Sequence, residues 1–253
     1  MSKLVFADID FFKKAMKSIS VLLLEATIEL DQEGMRIKSM DPANVAMVDF
    51  YIRADTFPEY DVKEEGEKHT FKVETLLAFL KRANAKDIVT LEFDEKMHVK
   101  IKSENNKEFG TTLIGIEPDK TPDTVKLDFD FETTMPTEQF NSVCNDIATM
   151  GDSVVLVGDK ERIVMRAESD KMVDSFGEIK LSADNKVKMK EGVEAAKVKL
   201  SSEYINKIVD SIKKITENVK IQFGNDYPIL LTYSMADRAS ISFLVAPRVD
   251  NEG

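Results

Sequence analysis

The chain has 253 residues and a formal net charge of −11, and its 43% apolar content is enough for one large core or two moderate ones. A single cysteine excludes an internal disulfide framework and fits a reducing compartment, and no apolar run approaches the roughly 20 residues that a bilayer span needs. So acidic a chain is a poor DNA binder by simple adhesion, because that affinity comes from Lys and Arg releasing counterions from phosphates. If DNA is a partner, the basic residues must be segregated onto one surface.

In chain order, the start MSKLVFADIDFF has acidic residues inside its apolar stretch, which argues against a secretory signal. Asp10–Ser20 then places Phe12, Ala15, Met16 and Ile19 at helical spacing, with Lys13, Lys14 and Lys17 on the opposite side. Strand-like alternation follows at Ala26–Leu30, then a DQEG turn and a second strand, MRIKSM. At Phe71 the run FKVETLLAFLKR takes a strand directly into a second helix that ends on Lys81 and Arg82. DIVTLEF from Asp87 and FGTTLIGI from Phe109 complete this half as strands.

The same order then recurs at an offset of roughly 130 residues. Thr137–Thr149 repeats the helical stripe with Phe140, Val143, Cys144 and Ile147. Its exposed side is expected to carry Asn141, Ser142, Asn145 and Thr149 with Glu138 and Asp146, and no base. Ser153–Val157, a GDKE turn and IVMRAE match the first pair of strands. VKLSSEYINKIV repeats the strand-to-helix run, with a fourth helix over Ser202–Ile215 burying Tyr204, Ile205, Ile208 and Ile212. Lys207, Lys213 and Lys214 lie off that stripe. NVKIQF and ASISFLVA match the closing strands. Between the halves, IEPDKTPDTVKLDFDF has two prolines, many acids and no period, as a connector does. The expected organisation is a first domain over residues 1–116, a connector over 117–132 and a second domain over 133–253. Short turns between strands predict antiparallel sheets and an α+β class, with helices on one sheet face.

No constellation for catalysis emerges, and no cofactor or metal is expected. His69 and His98 are far apart and lack a Cys or second His at ligand spacing. Cys144 falls on an apolar helical stripe, as a buried thiol does. Asp8 and Asp10 form a D-x-D better read as first-turn helix charge, and no phosphate-cradling glycine motif is present.

Four segments carry a family likeness: GMRIKSMDPANVAMVDF from Gly34, with MDPANV its most specific part, TMGDSVVL from Thr149, FGNDYPILLTY from Phe223, and FLVAPRV from Phe243. Together with the repeat and the acidic connector, the whole chain resembles the archaeal and eukaryotic sliding clamps, the proliferating cell nuclear antigen family, and its archaeal members most. The resemblance implies a closed trimeric ring of two-domain subunits, sheets outside and two helices per domain inside, acting as a processivity factor in DNA replication and repair. It implies that Lys13, Lys14, Lys17, Lys81, Arg82, Lys207, Lys213 and Lys214 face encircled double-stranded DNA without reading sequence. It implies a pocket for short peptides of DNA polymerase, the clamp loader and other partners, at Met40, Asn44, Val45, Met47, Pro228, Leu244, Ala246 and Pro247. Pro122, Val125 and Leu127 of the connector would form one wall. It places subunit contacts on two edge strands, through Phe109, Thr111 and Leu113 on one and Phe176, Ile179 and Leu181 on the other. The implied location is cytoplasmic, or nuclear in a eukaryote, with no membrane role.

The third helix departs from the family pattern, since Ser142 and Asn145 stand where arginines are usual. That keeps open a heterotrimeric ring in place of a homotrimer. Two other classes stay open: an acidic adaptor that binds peptides but never encloses DNA, and a metal-dependent hydrolase built on Asp8 and Asp10.

Overall fold

The structure, a computed structural model, describes residues 1–6, 9–63, 66–103, 105, 107–113, 115, 127–168, 175–212, 215–235 and 237–248. The chain forms two compact units. The first takes Met1–Asn44, Val48–Asp123 and Met235–Ile241; the second takes Val45–Met47, Thr124–Ser234 and Ser242–Gly253.

The elements of the first half are β1 (Ser2–Phe6), α1 (Ile9–Ile19), β2 (Glu25–Leu30), β3 (Gly34–Met40), β4 (Ala46–Arg53), β5 (Glu59–Asp61), β6 (Glu67–Lys72), α2 (Val73–Leu80), β7 (Ile88–Phe93), β8 (Met97–Lys102) and β9 (Glu108–Leu113). The second half repeats that order with β10 (Phe131–Pro136), α3 (Thr137–Ala148), β11 (Ser153–Gly158), β12 (Arg162–Glu168), β13 (Ser175–Lys180), β14 (Lys188–Met189), β15 (Ala196–Ser201), α4 (Ser202–Ser211), β16 (Asn218–Phe223), β17 (Ile229–Met235) and β18 (Ala239–Val245).

Strand order repeats as well. The first half has a β5-β1-β7-β8-β9 sheet and a β6-β2-β3-β4 series; the second has β14-β10-β16-β17-β18 and β15-β11-β12-β13. Each strand of one half has its counterpart at the same place in the other. Pairing is antiparallel, as in Ile28↔Ile37 and Val155↔Arg166. The α+β class and the internal duplication read from the residues are what the fold displays.

Alternation drives the strands. β1, β4, β8, β10, β17 and β18 bury every second residue, which fixes their register because a one-residue slip would turn the apolar set outward. Each unit has an aromatic centre: Phe6 and Phe12 at 4.3 Å in the first, Phe131 and Phe223 at 4.8 Å in the second. Phe131 and Glu132 belong to β10, and Phe131 is fully buried, so the strand takes in the last residues of the expected connector. The rest of the connector up to residue 126 lies outside the described residues.

Candidate functional site

The α1 stripe buries Phe12, Ala15, Met16 and Ile19, which turns Lys14 and Lys17 outward. Lys81 and Arg82 are exposed just beyond α2, and the Arg82 guanidinium sits 5.7 Å from the Phe79 ring centroid. Between the two helices lies an open hollow of about 910 Å³. Lys13, Lys14, Lys17, Lys72 and Lys81 line it against the carboxylates of Asp10, Glu25 and Glu74. Among the described residues, Lys14, Lys17 and Lys81 are held in no ion pair. Lys13 differs from its neighbours: it is half-buried, and its Nζ donates to the Ala83 carbonyl at 2.8 Å.

The second helix pair has another surface. On α3, Glu138, Gln139, Ser142, Asp146 and Thr149 are exposed, with no base among them. Asn141, expected outside, is buried at 3% exposure, and its Nδ2 donates to the Val209 carbonyl of α4 at 2.9 Å. Its short amide can reach a backbone acceptor on the neighbouring helix, which offsets the cost of burying it. Asn145 is half-buried rather than exposed. On α4, Lys207 is exposed but paired with Glu203 and 5.9 Å from the Tyr204 ring. Tyr204 is only half-buried, and Val209 joins Ile205 and Ile208 in the stripe instead. The helix ends at Ser211, four residues before the expected end; Lys213 and Lys214 lie outside the described residues.

Two of the expected contact strands stand at sheet edges. Among the described residues, β9 pairs only with β8 and β13 only with β12. An unpaired edge offers a row of backbone donors and acceptors to another chain. Phe176 is 69% exposed on β13, while Phe109, Thr111 and Leu181 are half-buried. Leu113 and Ile179, at 3% and 2% exposure, point into the cores of their own units and are not available to a partner. Gly177 lets β13 close on α3: a Cβ there would lie 2.7 Å from Val143 Cγ1.

Comparison with known proteins covers the whole chain. The proliferating cell nuclear antigen N-terminal domain family matches residues 1–121, and its C-terminal domain family matches residues 123–248. The chain belongs to the proliferating cell nuclear antigen family. Among its relatives are the DNA polymerase sliding clamps of Thermofilum pendens, 27% identical, with 99% of this chain and 100% of that protein covered, and of Methanothermobacter thermautotrophicus, 29% identical with both covered in full. Among solved structures, the PCNA2–PCNA3 complex of Sulfolobus tokodaii matches with a TM-score of 0.83 at 26% identity, covering 98% of this chain and 100% of that one. The proliferating cell nuclear antigen of Thermococcus kodakaraensis matches in fold with a TM-score of 0.85 at 23% identity, at the same coverage. As a member of this family, the chain is a processivity factor rather than an enzyme.

The remaining residues singled out for this clamp fall in both units. Met40 and Asn44 line a second hollow, of about 690 Å³, with Leu24, Lys38, Asp41 and Pro42 in the first. There the Asp41 carboxylate accepts the Ala43 N–H at 3.1 Å, and its carbonyl accepts the Asn44 N–H at 2.9 Å. Asn44 sits at φ 57°, a left-handed turn position that asparagine tolerates. In the second unit Val45, Met47, Leu127, Pro228, Leu244, Ala246 and Pro247 are half-buried, and the Ala246 N–H donates to the Val45 carbonyl at 2.8 Å. Pro122 and Val125 lie outside the described residues, as does Asp8.

The other reactive side chains are occupied or buried. His69 Nε2 is 2.7 Å from Glu67, and His98 bridges Thr112 Oγ1 at 2.9 Å and Asp94 at 3.1 Å. Cys144 is fully buried with its sulfur 3.6 Å from that of Met165, and burial pushes its thiol pKa well up, away from thiolate chemistry. Among the described residues, no three of His, Cys, Asp and Glu gather as metal ligands, and no helix is long and apolar enough to cross a membrane.

Proposed function

We propose that three copies of this chain close into a ring around duplex DNA, and that the ring tethers DNA polymerase and other proteins carrying a short clamp-binding peptide. The observation that carries the reading is the match of both domain families in order along the chain. The unpaired edges of β9 and β13 support a head-to-tail contact, through Phe109, Thr111, Phe176 and Leu181, which closes when its rotation permits. Lys14, Lys17, Lys81 and Arg82 would touch phosphates from the helix faces, with retention supplied by topology rather than by adhesion. Peptides would dock on Val45, Met47, Leu127, Pro228, Leu244, Ala246 and Pro247, all half-buried in the second unit.

Light scattering of the pure chain tests the ring, with an expected particle of three times 28.6 kDa. On nicked circular DNA the loaded ring should be retained, and linearisation should release it. A stable monomer at micromolar concentration would sink the homotrimer. A second reading, one subunit of a heterotrimer, is favoured by the baseless face of α3 and by the numbered clamps 1 and 3 of Sulfurisphaera tokodaii among the relatives. A ring that forms only when companion clamp chains are added would select it.

A further inference from the structure

The edge strands β9 and β13 carry the same dipeptide. β9 contains Phe109–Gly110 and β13 contains Phe176–Gly177, and among the described residues each strand has one side unpaired. Alternation assigns their faces. Phe109 turns to the helix side, where its ring centroid lies 6.1 Å from that of Phe79 on α2. Gly177 also turns to the helix side, where the half-buried Val143 of α3 closes over it. Gly110 and Phe176 therefore look outward, and Phe176 is 69% exposed. Laid antiparallel with Phe109 opposite Gly177, the two edges place Gly110 opposite Phe176 and Thr111 opposite Ser175. Each ring then covers the other strand's glycine on the matching face, and a pair of hydroxyl side chains stands beside them.

A ladder shifted by two residues keeps the faces and pairs Glu108 with Lys180, but it sets Phe176 over Thr112 and leaves both glycines without a ring. The opposite shift sets Phe176 against Glu108. An exposed ion pair contributes little, whereas a phenyl ring laid on bare backbone buries a large apolar area, so the unshifted register wins. Its cost is Glu108 opposite Glu178, and each has a base on its own sheet. Glu178 accepts from Arg162 at 3.1 Å, and Glu108 stands in register with Lys102. The helix side agrees with this register. The Arg82 guanidinium, just past α2, lies 5.7 Å from the Phe79 ring, and Asp146 is exposed three residues from Val143 on α3. A basic helix end thus comes to an acidic helix face. We propose that the partner of each free edge is the other edge of a second copy of this chain, in the register Phe109–Gly177 and Gly110–Phe176, with Arg82 beside Asp146. The lack of bases on α3 then serves assembly with an identical chain and is no sign of a missing companion. The inference rests on the head-to-tail contact proposed above and adds to it the identity of the partner and the register.

Cysteine pairs read the register directly. Thr111→Cys with Ser175→Cys leaves both Phe-Gly steps intact and sets two thiols opposite each other across the contact, within the Cα span a disulfide tolerates. Mild oxidation with diamide should link the chains into covalent species ending at three times 28.6 kDa, which a reductant removes. Cys144 is fully buried and stays out of the reaction. Glu108→Cys with Lys180→Cys should remain a single chain, since those positions meet only in the shifted ladder. Arg82→Glu and Asp146→Arg should each weaken association about fivefold, and the two together should restore it. Linking through the second cysteine pair and not the first, or through neither in a sample that light scattering shows to be trimeric, would overturn the register and leave the ring standing. Losses from the two charge reversals that simply add would overturn the contact between α2 and α3. A single-chain particle at micromolar concentration, or a ring that forms only with companion chains, would remove the contact between identical copies and the register with it.

Discussion

α1 and α3 occupy the same place in two copies of one unit, and both carry an acid in the first turn, Asp10 and Glu138, yet their polar residues part beyond it. Phe12, Met16 and Ile19 correspond to Phe140, Cys144 and Ile147, and all six are buried. Around that shared stripe, Lys13, Lys14 and Lys17 correspond to Asn141, Ser142 and Asn145. Packing constrains the stripe, because a changed volume there is felt throughout the core. The other face is free to diverge, and here it has become basic in one unit and neutral to acidic in the other. Charge on these helices is therefore a property of the individual helix rather than of the fold.

The largest test asks whether the stripe is equivalent in both. Phe12→Ala and Phe140→Ala should each cost about 3–5 kcal/mol in denaturant unfolding, since both rings are fully buried. A loss below about 1 kcal/mol at either site would mean that this helix is not seated as its sibling is. Charge comes next. Lys14→Glu with Lys17→Glu should flatten the salt dependence of DNA binding by about two units of slope, roughly fourfold in affinity per unit between 50 and 200 mM salt. Ser142→Lys, at the place matching Lys14, should steepen it by about one unit. An unchanged slope in both would place these faces away from phosphate. At the sheet edge, Phe176→Glu should lower the ring's mass towards that of a single chain while the unfolding midpoint stays within error, because the ring is exposed. Leu113→Ala should do the reverse, costing about 2–4 kcal/mol from a buried position.

Strands and helical stripes were readable because periodicity reports burial directly: the helical period predicts α1, and β2, β3, β11 and β12 fall within a residue of where alternation places them. The polar contact between α3 and α4 was not. A pattern reading sends asparagine to the surface, and only the placement of Val209 across from Asn141 makes its burial affordable. The pair Asn141 and Asn145, four apart on one helix, was the available signal. Leu113 and Ile179 misled for a related reason. In an edge strand alternate residues face the core, and a family likeness marks the strand without saying which of its faces is buried. Tyr204 yielded the α4 stripe to Val209: the buried face runs through Ser202, Ile205, Ile208 and Val209, and the half-buried Tyr204 ring lies 5.9 Å from the exposed Lys207 ammonium.

Lys13 gives the smallest effect and the sharpest comparison. Its Nζ donates to Ala83, just past α2, and at the matching position Asn141 donates to Val209 of α4. Two different side chains thus make one kind of tie, from the first helix of each unit to a carbonyl at the end of its second. If that tie is what the position does, Lys13 is a fastener rather than a phosphate contact, although Lys14 and Lys17, on the same helix, are exposed. Lys13→Met, which keeps the apolar stem, should cost about 1 kcal/mol in unfolding and leave the salt slope of DNA binding unchanged. Lys14→Met should leave stability unchanged and reduce the slope by about one unit. A slope loss at Lys13 equal to that at Lys14 would show that its ammonium leaves the carbonyl when DNA is present, and that the parallel with Asn141 ends at the free protein.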